Sequence, residues 1–201
     1  ETSLLFSAYP EEHGVVARHS EVDRNLVGVT TPLVEAGYRT ALFSGNVLTA
    51  HPQYQPWFDE VWVIDRDEEF AADVDTQVVD EALAWLGDER RRDPVFLTLQ
   101  LYGPHFPYCP PGTGDGLVTV PNFGDIDLCQ PWDQEKLRLV EELEPFPDEL
   151  SSRIEELYDA EVAYTAAEIE RFLEGWEERR NRPRLTVVVT DHGEAFGEHG
   201  F

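Results

Sequence analysis

The chain carries four short apolar runs separated by polar and turn-forming stretches. They lie at residues 38–44, 61–64, 95–101 and 185–190. Each run has the length of a strand, and the runs at 95–101 and 185–190 are apolar enough for a strand that is buried on both faces. Such strands belong to parallel sheets, in which crossover helices cover the two faces. The runs therefore predict four strands of one mainly parallel sheet.

Between these runs, apolar residues recur at the three- and four-residue spacing of amphipathic helices. One stripe begins at Asp75 and a second begins at Ile154; they continue through Val78, Val79, Ala82, Leu83 and Leu86, and through Leu157, Val162, Thr165, Ile169, Phe172 and Leu173. Shorter helices are predicted over 2–8, with Thr2 as N-cap, and from Thr31-Pro32 to Gly37. Strands alternating with helices predict an α/β fold with a doubly wound, mainly parallel sheet and helices on both faces.

Residues 103–150 are rich in proline, glycine and acids and show little periodicity. We expect a long loop excursion over the sheet here, because stretches of this kind rarely contribute to a core. The excursion contains both cysteines, Cys109 and Cys129, for which we expect free thiols, since two cysteines are too few for a disulfide scaffold. No linker or repeat divides the chain, so residues 1–201 are predicted to form a single domain.

The charge of the chain is strongly negative. Asp and Glu total 41 against 15 Lys and Arg, which gives a net charge of −26, and Lys136 is the single lysine. Such a surface repels nucleic acid and anionic membranes, so we expect neither as a partner. An acidic, lysine-poor surface is typical of proteins adapted to high intracellular salt, so a cytoplasmic location in a high-salt organism is favoured. No apolar stretch is long enough to span a bilayer, and an export signal upstream of Glu1 stays open.

Polar side chains follow three of the predicted strands: Asn46 follows the first, His105 the third, and Asp191-His192 the last. In parallel sheets, ligands bind outside the carboxyl ends of the strands. A carboxylate beside an imidazole can hold a divalent cation there, which makes Asp191 and His192 candidate metal ligands. Taken alone, the Asp-His-Gly tripeptide does not decide the matter. An aspartate that caps a helix and a histidine that satisfies a loop carbonyl explain it as well as a metal site does.

Longer strings around these residues carry a family resemblance. Asp191-His192-Gly193-Glu194, followed by Gly197-Glu198-His199-Gly200, resembles the late metal-binding motif of the sulfatase-like branch of the alkaline phosphatase superfamily. Three further segments agree in the family's order: Ser3 to Val15 with its Tyr-Pro-x-x-His-Gly-Val ending, Leu33 to Ala41, and Val95 to Pro111 with its Pro-His-x-Pro-Tyr loop. The resemblance spans nearly all 201 residues.

The resemblance implies an alkaline phosphatase-like sheet that is incomplete at both ends of this chain. It implies that Asp191 and His192 bind the metal. It also implies that His105 either contacts the ester oxygens or protonates the leaving group. The alternative for His105 is a histidine that orders a proline-rich loop. Asn46 and His199 are candidate substrate-binding residues. An asparagine in a Gly-Asn turn is more often only a turn residue, and for His199 a role in orienting the loop is an equal alternative.

By the same resemblance, the chain is the central portion of a metal-dependent sulfuric ester hydrolase that acts on small-molecule or glycan sulfate esters. Ca²⁺ is the expected ion, with Mg²⁺ or Mn²⁺ as alternatives. A formylglycine nucleophile is expected upstream of Glu1. Two alternatives stay open: a phosphodiester or phosphonate ester hydrolase or a phosphoglycerol transferase of the same superfamily, and a non-catalytic binding relative.

Overall fold

The computed structural model describes residues 2–15, 23, 25–47, 55–65, 71–88, 94–114, 116–141, 147–180 and 182–196. The helices are α1 Thr2–Phe6, α2 Pro10–His13, α3 Thr30–Glu35, α4 Val74–Leu86, α5 Gln134–Glu141 and α6 Asp148–Arg179, with short 3₁₀ turns at Gln55–Trp57 and Pro131–Asp133. The strands are β1 Arg39–Ser44, β2 Glu60–Val63, β3 Val95–Gln100, β4 Leu117–Val120 and β5 Gly124–Asp127.

Three of the four predicted strands form one parallel sheet in the order β2-β1-β3. Ala41 of the central strand lies opposite Glu60 of β2 on one side and Leu97 of β3 on the other. The central strand is buried from Thr40 to Ser44, as expected of a strand with a neighbour on each side. The predicted α/β class with a parallel sheet is confirmed.

Helix α4 covers one face of this sheet. Val78, Val79 and Ala82 are fully buried and belong to one hydrophobic cluster with Ala41 and Phe43 of β1. Because these helix residues are three and four positions apart, they form a single stripe that faces the strands. The predicted stripe is thus the surface that joins α4 to the sheet.

Helix α6 is 32 residues long, so it spans about 48 Å at 1.5 Å per residue. Phe172 and Trp176, near its carboxyl end, pack against the cluster beneath α4. Its amino-terminal half packs elsewhere, as described below. Many charged residues line α6, and no helix in the described part of the chain combines the length and the apolar character that a bilayer span needs.

Residues 103–150 were expected to be an excursion without a core, and this expectation is wrong. Strands β4 and β5 form an antiparallel hairpin within this range. Its inward side chains build a second hydrophobic cluster with the amino-terminal half of α6: Phe106, Tyr108, Val118, Val120, Ile126, Leu128, Leu137, Leu150, Ile154 and Leu157. The sequence concealed this cluster because four-residue strands supply only two inward positions each, too few for a visible period.

The two cysteines form a disulfide rather than the expected free thiols. Cys109 and Cys129 are bonded with their Cα atoms 4.8 Å apart. The Tyr108 amide donates to the Leu128 carbonyl at 2.9 Å, so a backbone hydrogen bond between the residues just before the two cysteines also holds the two segments together. The cysteine count could not reveal this proximity, because it arises where the chain returns at the end of β5.

The fourth predicted strand, over 185–190, is not part of the sheet. Leu185 is 90% exposed, and no described strand pairs with this segment. Instead the chain runs back along α6: Arg184 donates to the Leu173 carbonyl at 3.1 Å, and Ser151 donates to the Phe196 carbonyl at 2.8 Å. Those helix positions are about 33 Å apart along the axis, and twelve residues reach about 40 Å when extended. Twelve residues can therefore cover this distance, but the run is not a strand, because a parallel strand needs a neighbouring strand to satisfy its backbone groups.

Candidate active site at the sheet edge

The carboxyl ends of β1 and β3 meet at one edge of the sheet. Ser44, the last residue of β1, donates its hydroxyl proton to Gln100 Oε1 of β3 at 2.6 Å. The Asn46 amide donates to Ser44 Oγ at 3.0 Å, which fixes the turn after β1 beside the end of β3. The structure therefore places Asn46 and the segment that carries His105 on the same edge. The role of Asn46 in substrate binding stays a prediction.

His105 is exposed above this edge. Its ring lies against Tyr102 with the centroids 4.7 Å apart, and its amide donates to the Tyr102 carbonyl at 3.0 Å. The imidazole Nδ1 is 2.5 Å from the Phe106 carbonyl oxygen. Because a carbonyl oxygen only accepts, Nδ1 carries the proton in this bond. In the neutral ring Nε2 then holds the lone pair, and after protonation the same atom can donate a proton to a leaving group.

Two carboxylates are buried directly beneath the His105 segment. Asp75, in the first turn of α4, is 1% exposed, and Glu161 of α6 is 7% exposed. With Tyr102, Gly103, His105 and Tyr164 they line a cavity of about 30 Å³. Such a cavity has room for one or two water molecules.

Burial changes how both acids ionise. Loss of hydration raises the pKa of Asp75, although hydrogen bonds from Thr165, Tyr102 and Gly103 oppose the change. Burial raises the pKa of Glu161 to about 7, with the Cys109 amide lowering it and the charge of Asp75 raising it further. Glu161 therefore changes its charge near neutral pH.

Asp191 and His192 lie on the exposed segment that follows residues 185–190. The His192 Nδ1 is 2.7 Å from the Gly193 carbonyl, so Nδ1 carries the proton and Nε2 presents its lone pair. That Nε2 atom is 3.9 Å from Asp191 Oδ2. The Gly193 carbonyl and then the charge of Asp191 raise the pKa of His192.

These two residues fit a divalent cation as part of a ligand set. A carboxylate oxygen and an imidazole nitrogen 3.9 Å apart can both bind one ion at bond lengths of about 2.3 to 2.6 Å, the range of Ca²⁺. Two donors leave most coordination positions of Ca²⁺ or Mg²⁺ to other groups. In the described parts of the chain, no three His, Cys, Asp or Glu side chains lie together as a metal site.

Aromatic rings connect the Asp191 segment to the His105 segment. Phe196 packs edge-on against Tyr158 of α6 at 5.0 Å, and Tyr158 packs against Tyr108 at 6.0 Å. Tyr108 in turn contacts Phe106, next to His105, at 5.4 Å. Both segments therefore rest on the amino-terminal half of α6. The structure does not bring Asp191 and His192 to the sheet edge itself.

Near the amino terminus, Ser3 and His13 form a pair that resembles a nucleophile and its base. His13 is 2% exposed, and its Nε2 is 3.0 Å from Ser3 Oγ. The Val15 amide donates to Nδ1 at 3.1 Å, so Nδ1 is the acceptor and Nε2 carries the proton. His13 thus donates to Ser3 and cannot accept its proton in this arrangement. The pair orders the turn after α2.

His199, the second predicted substrate-binding residue, lies outside the described residues. Asp75 and Glu161 were not predicted from the sequence as site residues. A signal was present, because each acid occupies a position on an apolar stripe: Asp75 precedes Val78, Val79 and Ala82, and Glu161 follows Leu150, Ile154 and Leu157. The neighbouring Val162, predicted to face the core, is 43% exposed. An acidic residue at a position where the helical period predicts a buried apolar residue was therefore the signal in the sequence.

A parallel sheet with flanking helices and polar groups at the carboxyl ends of its strands places the chain in the α/β class. A crystal structure of the phosphonate monoester hydrolase of Agrobacterium radiobacter superposes on the chain with a TM-score of 0.60 at 13% identity. The match covers 88% of this chain and 49% of that one, so the chain spans about half the length of that enzyme. A similarity at this level of identity concerns the fold.

The sequence profile of the family named Sulfatase matches residues 1–201. The chain belongs to the sulfatase family. A search of curated proteins finds no significant match.

Proposed function

We propose that these residues form the central part of a sulfuric ester hydrolase, in which the edge formed by Asn46 and His105 binds the sulfate ester. The observation that supports it most is the state of His105: an exposed imidazole at the end of β3 whose Nδ1 is held by the Phe106 carbonyl. This leaves Nε2 to protonate the oxygen of the departing alcohol. The nucleophile is expected from a segment outside residues 1–201.

Asp191 and His192 would hold a divalent cation together with donors from elsewhere in the complete protein. When bound, the cation supplies positive charge, and it would stabilise the ester oxygens where the complete protein holds the 191–196 segment against the sheet edge. The chain's own residues bind and orient: Asn46 contributes polar groups beside the substrate, and His105 contributes the proton. The acids beneath them stay covered by the 102–109 backbone.

The proposal is tested with the full-length protein on an aryl sulfate, an aryl phosphate, a phosphodiester and an aryl phosphonate. We expect the aryl sulfate to be hydrolysed with the highest kcat/KM. Asp191→Ala should lower both metal content and turnover, because it removes an anionic ligand. Glu174→Ala, at an exposed carboxylate of α6 outside the Asp191 segment, is the control and should leave both unchanged. Unchanged metal content in Asp191→Ala would contradict the ligand assignment.

A second candidate, hydrolysis of phosphonate or phosphate esters, is favoured by the structural similarity to a phosphonate monoester hydrolase. The same substrate panel separates the two, because a preference for the phosphonate or the phosphodiester would select the second candidate. Binding of these esters without turnover of any of them would favour a non-catalytic relative.

A further inference from the structure

Asp75 and Glu161 occupy positions that normally belong to apolar residues. Each lies on the buried stripe of its helix, and both are more than nine-tenths buried. Burying a carboxylate costs free energy unless its oxygens accept hydrogen bonds. The partners of these oxygens therefore indicate what the two acids do.

Each acid accepts backbone hydrogen bonds from one end of the same segment, residues 102–109. Asp75 Oδ1 accepts from the Tyr102 amide at 2.6 Å and from the Gly103 amide at 3.4 Å. Glu161 Oε1 accepts from the Cys109 amide at 2.8 Å. The segment that carries His105 is thus held at its start by α4 and at its end by α6.

The two carboxylates approach each other beneath Gly103. A Cβ atom at this glycine would lie 3.1 Å from Asp75 Oδ2 and 3.2 Å from Glu161 Oε2. It would also lie 2.4 Å from the hydroxyl oxygen of Thr165, which donates to Asp75 Oδ2 at 2.7 Å. The backbone therefore rests directly on the polar atoms, with no side chain between them.

We infer that Asp75 and Glu161 are positioning residues that act through the 102–109 backbone to hold the His105 imidazole at the sheet edge. The inference rests on the proposed function, since it concerns the residue that would protonate the leaving group. Both acids act at the ends of the segment, on amides two to four residues from His105. Small displacements there change the distance over which His105 transfers its proton.

The test uses two substitutions of similar size in the full-length protein. Glu161→Met keeps the length of the side chain but removes the acceptor, whereas Glu161→Gln keeps a carbonyl oxygen for the Cys109 amide. Glu168→Met is the control, because Glu168 lies on the same helix and binds Thr76 and Arg171 rather than the 102–109 segment. Asp75→Asn also keeps an acceptor, so it repeats the conservative substitution at the other end of the 102–109 segment.

Two readouts are measured: kcat on aryl esters with poor and good leaving groups, and amide hydrogen exchange of residues 102–109. We expect Glu161→Met to lower kcat roughly 10- to 100-fold on the poor leaving group and less on the good one. Its exchange at Cys109 should become faster. Glu161→Gln and Asp75→Asn should stay close to the unsubstituted protein in both readouts, and Glu168→Met should leave exchange in this segment unchanged.

Equal kcat in Glu161→Met and the unsubstituted protein, or a loss that Glu161→Gln shares, would overturn the inference. An unsubstituted protein that hydrolyses no ester would refute the proposed function instead. Hydrogen exchange then decides the inference by itself, because it needs no turnover. Faster exchange in Glu161→Met alone supports the inference that Glu161 holds the 102–109 segment, and unchanged exchange overturns that inference.

Discussion

Glu161 Oε1 accepts a hydrogen bond from the Cys109 amide at 2.8 Å, across 52 residues of sequence. The same bond joins α6 to the disulfide, because Cys109 is bonded to Cys129 at the end of the β4–β5 hairpin. Cys109 therefore connects the long helix, the hairpin and the segment that carries His105. The charge state of Glu161 and the disulfide of Cys109 both have measurable consequences.

Stability should depend on pH through Glu161. Burial raises its pKa to about 7 in the folded protein from an ordinary value of 4.5. Between these values the folded state binds more protons than the unfolded state, so this group's contribution to the free energy of unfolding falls as pH rises. Glu161→Gln removes this dependence, and at pH 8 it should be more stable relative to the unsubstituted protein than at pH 4.5, by on the order of 2 to 3 kcal/mol.

The measurement is urea unfolding of the two proteins across this pH range. Glu194→Gln, at an exposed carboxylate, serves as the control and should show no such change. Parallel stability curves for Glu161→Gln and the unsubstituted protein would show that Glu161 ionises normally.

Gly103→Ala should displace the His105 segment. The added methyl group would lie 2.4 Å from Thr165 Oγ1 and close to both buried carboxylates, so either the backbone or α6 must move. We expect a loss of about 1 to 3 kcal/mol in the free energy of unfolding, the usual cost of overpacking. Gly114→Ala is the matched control, because nothing lies within 4 Å of its added atom. Equal stability of the two variants would contradict the close approach at Gly103.

Loss of the disulfide should destabilise the protein. Cys109 and Cys129 are 20 residues apart in sequence, and closing a loop of this size contributes about 3 kcal/mol by restricting the unfolded chain. The double variant Cys109→Ser and Cys129→Ser should therefore unfold at lower urea concentration. A reducing agent should produce the same loss in the unsubstituted protein and none in the double variant. Insensitivity of both proteins to reduction would refute the bond.

His105→Ala should lower turnover of the full-length protein by about 10² to 10⁴, the scale of a lost general acid. The loss should shrink for esters whose alcohol departs without a proton. Metal content should stay unchanged, because His105 belongs to the sheet edge rather than to the Asp191 segment. Equal losses for good and poor leaving groups would argue against proton donation.

The net charge of −26 should make the fold depend on salt. Repulsion between the acids weakens when the screening length falls from about 10 Å at 0.1 M salt to about 3 Å at 1 M. We expect the midpoint of thermal unfolding to rise between 0.1 M and 2 M KCl. An unchanged midpoint would count against the high-salt interpretation of the composition.

Local patterns in the sequence determined the elements that local interactions define. The apolar runs at 38–44, 61–64 and 95–101 predicted β1, β2 and β3 within one or two residues, and the stripe from Asp75 predicted α4. They also placed Asn46 and His105 at one edge, because parallel strands end on the same side of a sheet. These features need only the period of burial along a short stretch of chain.

Only the tertiary structure decided which distant groups meet. The disulfide, the second cluster around the β4–β5 hairpin, and the carboxylates of Asp75 and Glu161 on the amides of residues 102–109 all join segments far apart in sequence. The tertiary structure also decided that residues 185–190 are exposed rather than part of the sheet, since a strand forms only where another backbone completes its hydrogen bonds. Hydrophobic periodicity states that a position is buried, whereas the partner of a buried polar group depends on how the whole chain folds around it.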